Sequence, residues 1–582
     1  MTRQELKKLI DVAAGRIHPA DTVIRNCRIV DVYSGKITEG NIALCDGWIA
    51  GVGDYEGAQT VDAKGAYAAP GLIDSHIHIE SSYVTPEEIS RLLVPHGGTT
   101  IIADPHEIVN VCGITGLDYM MEAAKDAALD IKYMLPSCVP ATPFENAGAV
   151  IDAEQMKEPI LREDILGLGE FMNYVGVIGA DDSVLDKLLV AKNAGKLIDG
   201  HAPAVLGKDL NAYCAARICG DHECSTVEEM HARIERGMYV LLRQGSACHN
   251  LRPLLKGVTP ENSRRCLLCS DDRQPKTIFS EGHLDNHLRI CVEEGLDAVT
   301  ALRMATLNAA ECWGLKDRGA IAPGLRADIV LFEDLKDFRV HRVWINGKLC
   351  AQDGAYLPEV HRHDISSVKG SVHLKDFSAA RLKMHLKSDL VHVIQIVPGG
   401  VVTKDRIARI RRDADGDFVR DPNADIVKVA VVERHKNTGN VACALLGGYG
   451  IRAGAVALSV AHDSHNIITV GVSDDEMACA VEALAQQEGG IVLVRDGKVI
   501  ERMPMPVAGL MSDQTGQWVD ERLTALHEAA FRELGIDTGV EPIMTLCFMS
   551  LPVIPELKLT DLGLFDVTHF CFTPVEAEEL SK

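Results

Sequence analysis

Two histidines set two residues apart, His76 and His78, close an apolar run that starts at Ala68 and reads Ala-Ala-Pro-Gly-Leu-Ile-Asp-Ser-His-Ile-His. On an extended strand alternate side chains share a face, so both imidazoles leave on the same side. Imidazole nitrogen suits zinc, iron and manganese, and two rings at the C-terminal end of a strand make half of a catalytic metal site. A pair of hydrogen-bonded core residues would look the same, so the remaining ligands must be sought elsewhere. Four short, partly apolar runs downstream each end on suitable groups: 165–169 before Glu170, 196–200 before His201, 216–220 before Asp221-His222-Glu223, and 265–270 before Asp271-Asp272. Taken singly, each reads as a cap or a structural residue. Together they define a metal or catalytic constellation.

The expected ligands are His76, His78, Glu170, His201, His222 and Asp271. They suffice for two divalent ions about 3.5 to 4 Å apart, with Glu170 bridging. Such a pair lowers the pKa of a shared water towards about 7 and polarises the electrophile. Asp271 is expected to take that water's proton and return it to the leaving group, with Glu170 and His222 completing the catalytic set. Asp272 is expected to support this geometry. The N/O donor set accepts several metals.

These groups need a scaffold that aligns strand ends. From about Gly71 to Leu315 strand-like runs (99–103, 131–138) alternate with helix-like ones (116–128, 183–194, 226–236). Repeated βα units imply a parallel sheet, and about 250 residues is the usual length of a closed (β/α)8 barrel, which carries its chemistry at strand C-termini. Short alternating runs at 23–30, 41–44 and 48–52 precede it, and others at 327–332 and 340–345, with an Asn346-Gly347 turn, follow. The expectation is an α/β protein: a β-sandwich from 1–69 and 316–365, a barrel over 70–315, and a separate C-terminal α/β domain over 366–582.

The net charge of −24 disfavours nucleic acid or an anionic membrane as partner, and a small neutral substrate fits better. No apolar stretch is long enough to span a bilayer. Residues 1–15 read as a short amphipathic helix without the apolar core of a signal peptide, and 17 scattered cysteines suggest reduced thiols, hence a cytoplasmic protein. Cys266 and Cys269 form a lone C-x-x-C, expected to be packed thiols.

The segment Pro70-Gly71-Leu72-Ile73-Asp74-Ser75-His76-Ile77-His78 resembles the opening of amidohydrolase-superfamily enzymes. Ala-Asp-Pro-His-Glu at 103–107, Gly-Ser-Ala at 245–247, Cys-Ser-Asp-Asp-Arg at 269–273, Ala-His-Asp-Ser-His-Asn at 461–466, Gly-Leu-Met-Ser-Asp at 509–513 and Leu-Pro-Val-Ile-Pro-Glu-Leu-Lys-Leu-Thr-Asp at 551–561 are similar to the bacterial adenine deaminase family over nearly the whole chain. The resemblance implies hydrolysis of adenine to hypoxanthine and ammonia with Mn2+ or Fe2+ in the binuclear site, Zn2+ being compatible with the same ligands. Glu170, where many hydantoinase-like relatives carry a carboxylated lysine, weighs against a cyclic-amide hydrolase. Glu80, Asp104, His106, Ser246, Asp272, His462 and His465 are the expected purine-side residues, with Glu107 beside them. The loop at 462–466 is expected to dip from the C-terminal domain towards the barrel mouth, and a homodimer is the expected assembly. Cytidine-deaminase chemistry fails on sequence: His78-Ile79-Glu80 matches H-x-E, but Cys266 follows Arg265 where that signature has proline.

Overall fold

In the computed structural model residues 1–17, 19–398 and 401–578 are described. Eight parallel strands occupy the middle of the chain: β1 (Leu72–Ile77), β2 (Gly98–Ala103), β3 (Asp130–Leu135), β4 (Ile165–Phe171), β5 (Leu197–Gly200), β6 (Gly220–Asp221), β7 (Tyr239–Arg243) and β8 (Cys266–Cys269). Strands β1 to β5 pair in chain order, as do β6 to β8. The Cys219 N–H donates to the Ile198 carbonyl at 2.9 Å, tying the approach to β6 onto β5. Past β8, the Asp271 N–H donates to the His76 carbonyl at 2.9 Å, so this end of the sheet returns beside β1. The result is one curled parallel surface.

The sequence explains why it forms. Every residue of β1 and β2 is buried, as parallel strands covered on both faces require. Intervening helices start on strong caps: Asp181 accepts from the Ser183 and Val184 amides, and Thr226 and Glu229 form a reciprocal capping box ahead of Val227–Glu235. Several element ends differ from the sequence expectation. The helix expected over 116–128 is Ile114–Ala123, Glu170 lies within β4 instead of after it, and the run at 216–220 contributes only Gly220 to the two-residue β6. Strand β7 carries no ligand signal in the sequence, because its Val-Leu-Leu-Arg ends on a cation, not on a metal-ligating type.

The two flanks meet. Five strands before β1 and four after β8 make one nine-stranded sheet, sewn by antiparallel pairing of Tyr67–Pro70 with Ile329–Phe332. The Asn346-Gly347 turn has positive φ at both residues, 49° and 74°, the conformation that suits a tight hairpin. C-terminally, eight strands between Leu390 and Pro504 form a mixed sheet covered by the helix Asp474–Gln486. Glu88 fastens this part to the centre. Its Oε1 accepts the Gly516 N–H, at the N-terminus of the helix Gly516–Arg532, at 2.8 Å, and its Oε2 accepts from Arg362 at 2.9 Å. Among the described residues no helix is long and apolar enough to cross a membrane.

Lys558 is fully buried in the strand Leu557–Thr560 and donates to the carbonyls of Val401 and Phe548, each at 2.9 Å. Burial lowers its amine to about 7, against 10.5 for the free group. Between those values the unfolded chain holds a proton that the folded chain does not, so this group makes stability rise with pH. Relative to Lys558→Met, the wild type should gain about 1.4 kcal/mol per pH unit between roughly pH 7 and 10. Urea denaturation of both proteins at a series of pH values measures this, and parallel curves would refute it.

Candidate active site

The C-terminal ends of β1, β4, β5, β6 and β8 bring His76, His78, Glu170, His201, His222 and Asp271 together, all buried. His76 Nε2 and His78 Nε2 face one another at 3.1 Å. The other ring nitrogens are committed: His76 Nδ1 donates to Asp199 Oδ2 and His78 Nδ1 to the Asp104 carbonyl, both at 2.9 Å. A neutral imidazole that donates from Nδ1 carries a lone pair on Nε2, so two lone pairs point into one gap. A cation there turns repulsion into coordination.

Glu170 spans the site. Its Oε1 lies 3.2 Å from His78 Nε2 and 3.7 Å from His76 Nε2, while its Oε2 lies 2.7 Å from His201 Nδ1 and 3.4 Å from His222 Nε2. Asp271 Oδ1 sits 3.1 Å from His78 Nε2. The triplets His76–His78–Glu170 and Glu170–His201–His222 each have donor atoms within 4.8 Å of one another, with Glu170 common to both. Imidazoles and carboxylates in this arrangement suit a divalent metal.

Neighbouring groups hold the ligands in place. Asp74, two residues before His76, accepts from the Ser270 amide at 3.0 Å, from the Ser270 hydroxyl at 2.5 Å and faces His283 Nε2 at 2.8 Å, locking β1 to the end of β8. Asp271 itself adopts φ 58°, a left-handed conformation that aspartate tolerates better than most residues. Gly169 is required by contact: a Cβ there would lie 2.1 Å from Asp104 Oδ2, which accepts the Glu170 N–H at 2.8 Å. Arg243 Nη1 donates to Asp271 Oδ2 at 2.6 Å and to Glu223 Oε1 at 2.5 Å. Burial opposes ionisation of Asp271, but Arg243 and His78 outweigh it and hold the carboxyl well below its usual range. Glu223 closes the Asp221-His222-Glu223 run, whereas Asp199 and Arg243 lie outside the residues the sequence singles out. Asp199 had a signal, since it stands in β5 two residues before His201; Arg243 ends β7.

Opposite the ligands stands a wall contributed by both parts of the chain. Glu107 accepts from His462 Nδ1 at 2.6 Å through Oε1 and from His465 Nε2 through Oε2. His465 Nδ1 accepts the Ala461 N–H at 3.1 Å, so its proton sits on Nε2 and both nitrogens are committed. That tautomer suits a hydrogen bond to Glu107 and not a metal ion. His462 stacks on Phe548, ring centroids 4.5 Å apart. Burial lowers His465 to about 4, whereas for His462 the Glu107 carboxylate overcomes burial and raises it to about 9. Between wall and ligands, His106 Nδ1 lies 3.5 Å from Glu170 Oε1. His106 Nδ1, Asp104 Oδ1 and Asp463 Oδ2 have no hydrogen-bond partner. Glu80 accepts the Ile108 amide at 3.2 Å through Oε1, leaves Oε2 free, and is pushed up to about 7 by burial and by Glu107. Asp272 accepts from the Ser81 hydroxyl, and burial and Asp271 raise its pKa. Ser246 stands apart, its hydroxyl donating to Thr277 Oγ1 at 2.8 Å and accepting the Gln274 amide at 2.9 Å.

A His-x-His strand, a carboxylate shared between two donor sets and an aspartate at the last strand define a metal-dependent hydrolase of the amidohydrolase class, and residues 67–350 match the Amidohydrolase family. Residues 400–571 match the Adenine deaminase C-terminal domain. The chain is 66% identical over 577 residues to Adenine deaminase 2 of Desulfotalea psychrophila, covering 99% of this chain and 100% of that one. It is 54% identical over 579 residues to Adenine deaminase of Ligilactobacillus salivarius, again 99% and 100%. The chain belongs to the adenine deaminase family.

Asp199 accepts from His76 Nδ1 and so leaves His76 Nε2 facing His78 and Glu170. Asp199→Ala should weaken metal affinity about 10- to 100-fold. Chelator competition on the reconstituted protein measures this; unchanged affinity would remove Asp199 from the site.

Proposed function

We propose that this protein hydrolyses adenine to hypoxanthine and ammonia, and the observation that carries it is Glu170, whose two oxygens serve two separate imidazole sets inside a site closed by the 461–466 loop. Two divalent cations, Mn2+ or Fe2+ with Zn2+ as a third candidate, would be held by His76, His78, Glu170, His201, His222 and Asp271, lowering the pKa of a water and polarising the carbon under attack. Arg243 grips Asp271 Oδ2, which leaves Oδ1 on the ligand side to take the water's proton and pass it to the exocyclic amine at C6. Protonating that amine makes ammonia a competent leaving group, and the second proton of water ends on the purine ring nitrogen of hypoxanthine.

The purine would lie between ligands and wall, with Asp104, His106, Asp272, Glu80 and His462 as partners for its ring nitrogens and amine. The unpartnered buried atoms on Asp104, His106 and Glu80 support this, because buried polar atoms are otherwise satisfied. His465 would position His462 through Glu107, and Ser246 would hold the loop that follows β7. The wider reading keeps a closed (β/α)8 barrel over 70–315, a β-sandwich from 1–69 and 316–365, an α/β domain over 366–582, a homodimer, and a place in the cytoplasm.

Protein stripped of metal and reloaded with Mn2+ should release ammonia from adenine and regain its activity in proportion to metal bound, up to two ions per chain. Failure on adenine with turnover of another aminopurine would change the substrate and keep the chemistry. Asp271→Asn should lower kcat about 100- to 10,000-fold, the usual range for a positioned proton-transfer group, beyond any loss of bound metal measured in the same sample. His462→Ala should chiefly raise KM; unaltered kcat and KM would exclude that side chain from the base.

A further inference from the structure

The wall that faces the ligands depends on one loop, 461–466, and that loop has little secondary structure of its own. Behind it lies Arg434, just past the strand Ile426–Val432, a wholly buried guanidinium with no ion-pair partner among the described residues. The neighbouring Glu433 carboxylate is occupied elsewhere, accepting the amides of His435, Lys436 and Thr438. A buried charge is costly to desolvate, so its retention calls for a reason.

Its hydrogen bonds supply one. Arg434 Nε donates to the His465 carbonyl, Nη2 to the Ala508 carbonyl at 3.0 Å, and Nη1 to the Ser371 hydroxyl at 3.0 Å and the Ser371 carbonyl at 3.2 Å. The Arg434 amide donates to Asn466 Oδ1 at 3.3 Å. One planar fork thus ties three remote segments, and one of them is the loop that presents His462 and His465 to Glu107. Gly509 leaves room for it, since a Cβ there would stand 2.8 Å from Nη1. A lysine could satisfy only part of this set, because its donors radiate from one atom.

We infer that Arg434 is a positioning residue for adenine, acting through the His465 backbone to hold His462 and its partner Glu107 at the base-facing wall. It touches neither the metal ligands nor the reacting atoms, so its removal should act on substrate binding and leave metal loading intact. The inference rests on the proposed adenine site.

The test compares Ser371→Ala, Arg434→Lys and Arg434→Met with the wild type and with His462→Ala, all in the full-length protein loaded with Mn2+. KM for adenine should climb in that order across the first three, reaching about 10- to 100-fold for Arg434→Met, as expected when a binding group is displaced by about an ångström. The metal content should stay at the wild-type value, kcat should change by less than KM, and hydrogen exchange should accelerate at 461–466. Should Arg434→Met fail to fold, Ser371→Ala and Arg434→Lys carry the test, since each removes only part of the fork. Folded variants with wild-type KM, alongside a defective His462→Ala, would overturn the inference alone. A wild type inactive on adenine would overturn the functional reading instead, and loss of metal in step with activity would make Arg434 a general structural residue.

Discussion

Two imidazole lone pairs held 3.1 Å apart in a buried pocket constitute an unstable arrangement unless positive charge lies between them. Everything around His76 and His78 enforces that proximity. Asp199 and the Asp104 carbonyl prevent either ring from turning its protonated nitrogen inward, and the Asp74–Ser270 contact keeps the strand that carries both rings in register with Asp271. The chain therefore gathers buried imidazoles and carboxylates into a site whose opposed lone pairs a bound cation, or a proton shared with Glu170 and Asp271, would relieve, as is common where function and packing conflict.

Carboxylates divide the labour by their surroundings. Glu170 and Asp271 remain ionised because imidazoles and Arg243 outweigh the cost of burial, which suits groups that hold cations. Asp272 and Asp463 are instead pushed up, because burial and the neighbouring carboxylates outweigh the imidazoles near them, the latter to about 6. The same contrast separates His462 from His465 on the two oxygens of Glu107. Environments that push like groups apart are how one pocket supplies both donors and acceptors.

Much of this was legible in the sequence because period-two strands ending in ligating residues announce themselves locally. The runs before Glu170, His201 and Asp271 became strands, and the two flanking β regions found one another across more than two hundred residues. What stayed hidden depended on partners distant in the chain. Nothing near Glu107 reveals that His462 and His465, more than 350 positions away, will divide its oxygens. Arg243 ends an apolar run as an ordinary cation, and its value appears only when Glu223 and Asp271 converge on it. Arg434 is less visible still, since all its side-chain acceptors but one are backbone carbonyls, which leave no trace in composition.

The division of the pocket between β-strand ends and the 461–466 loop also sets an order of assembly. During synthesis the last of the proposed metal ligands, Asp271, is made well before His462; at about 5–20 residues per second the interval is roughly ten to forty seconds. A nascent chain thus passes through a stage in which cations can be captured while the base-facing wall does not yet exist. If these residues hold cations as proposed, the ligand set is complete before the wall is made, and a chain starved of metal during that interval would close over vacant ligands.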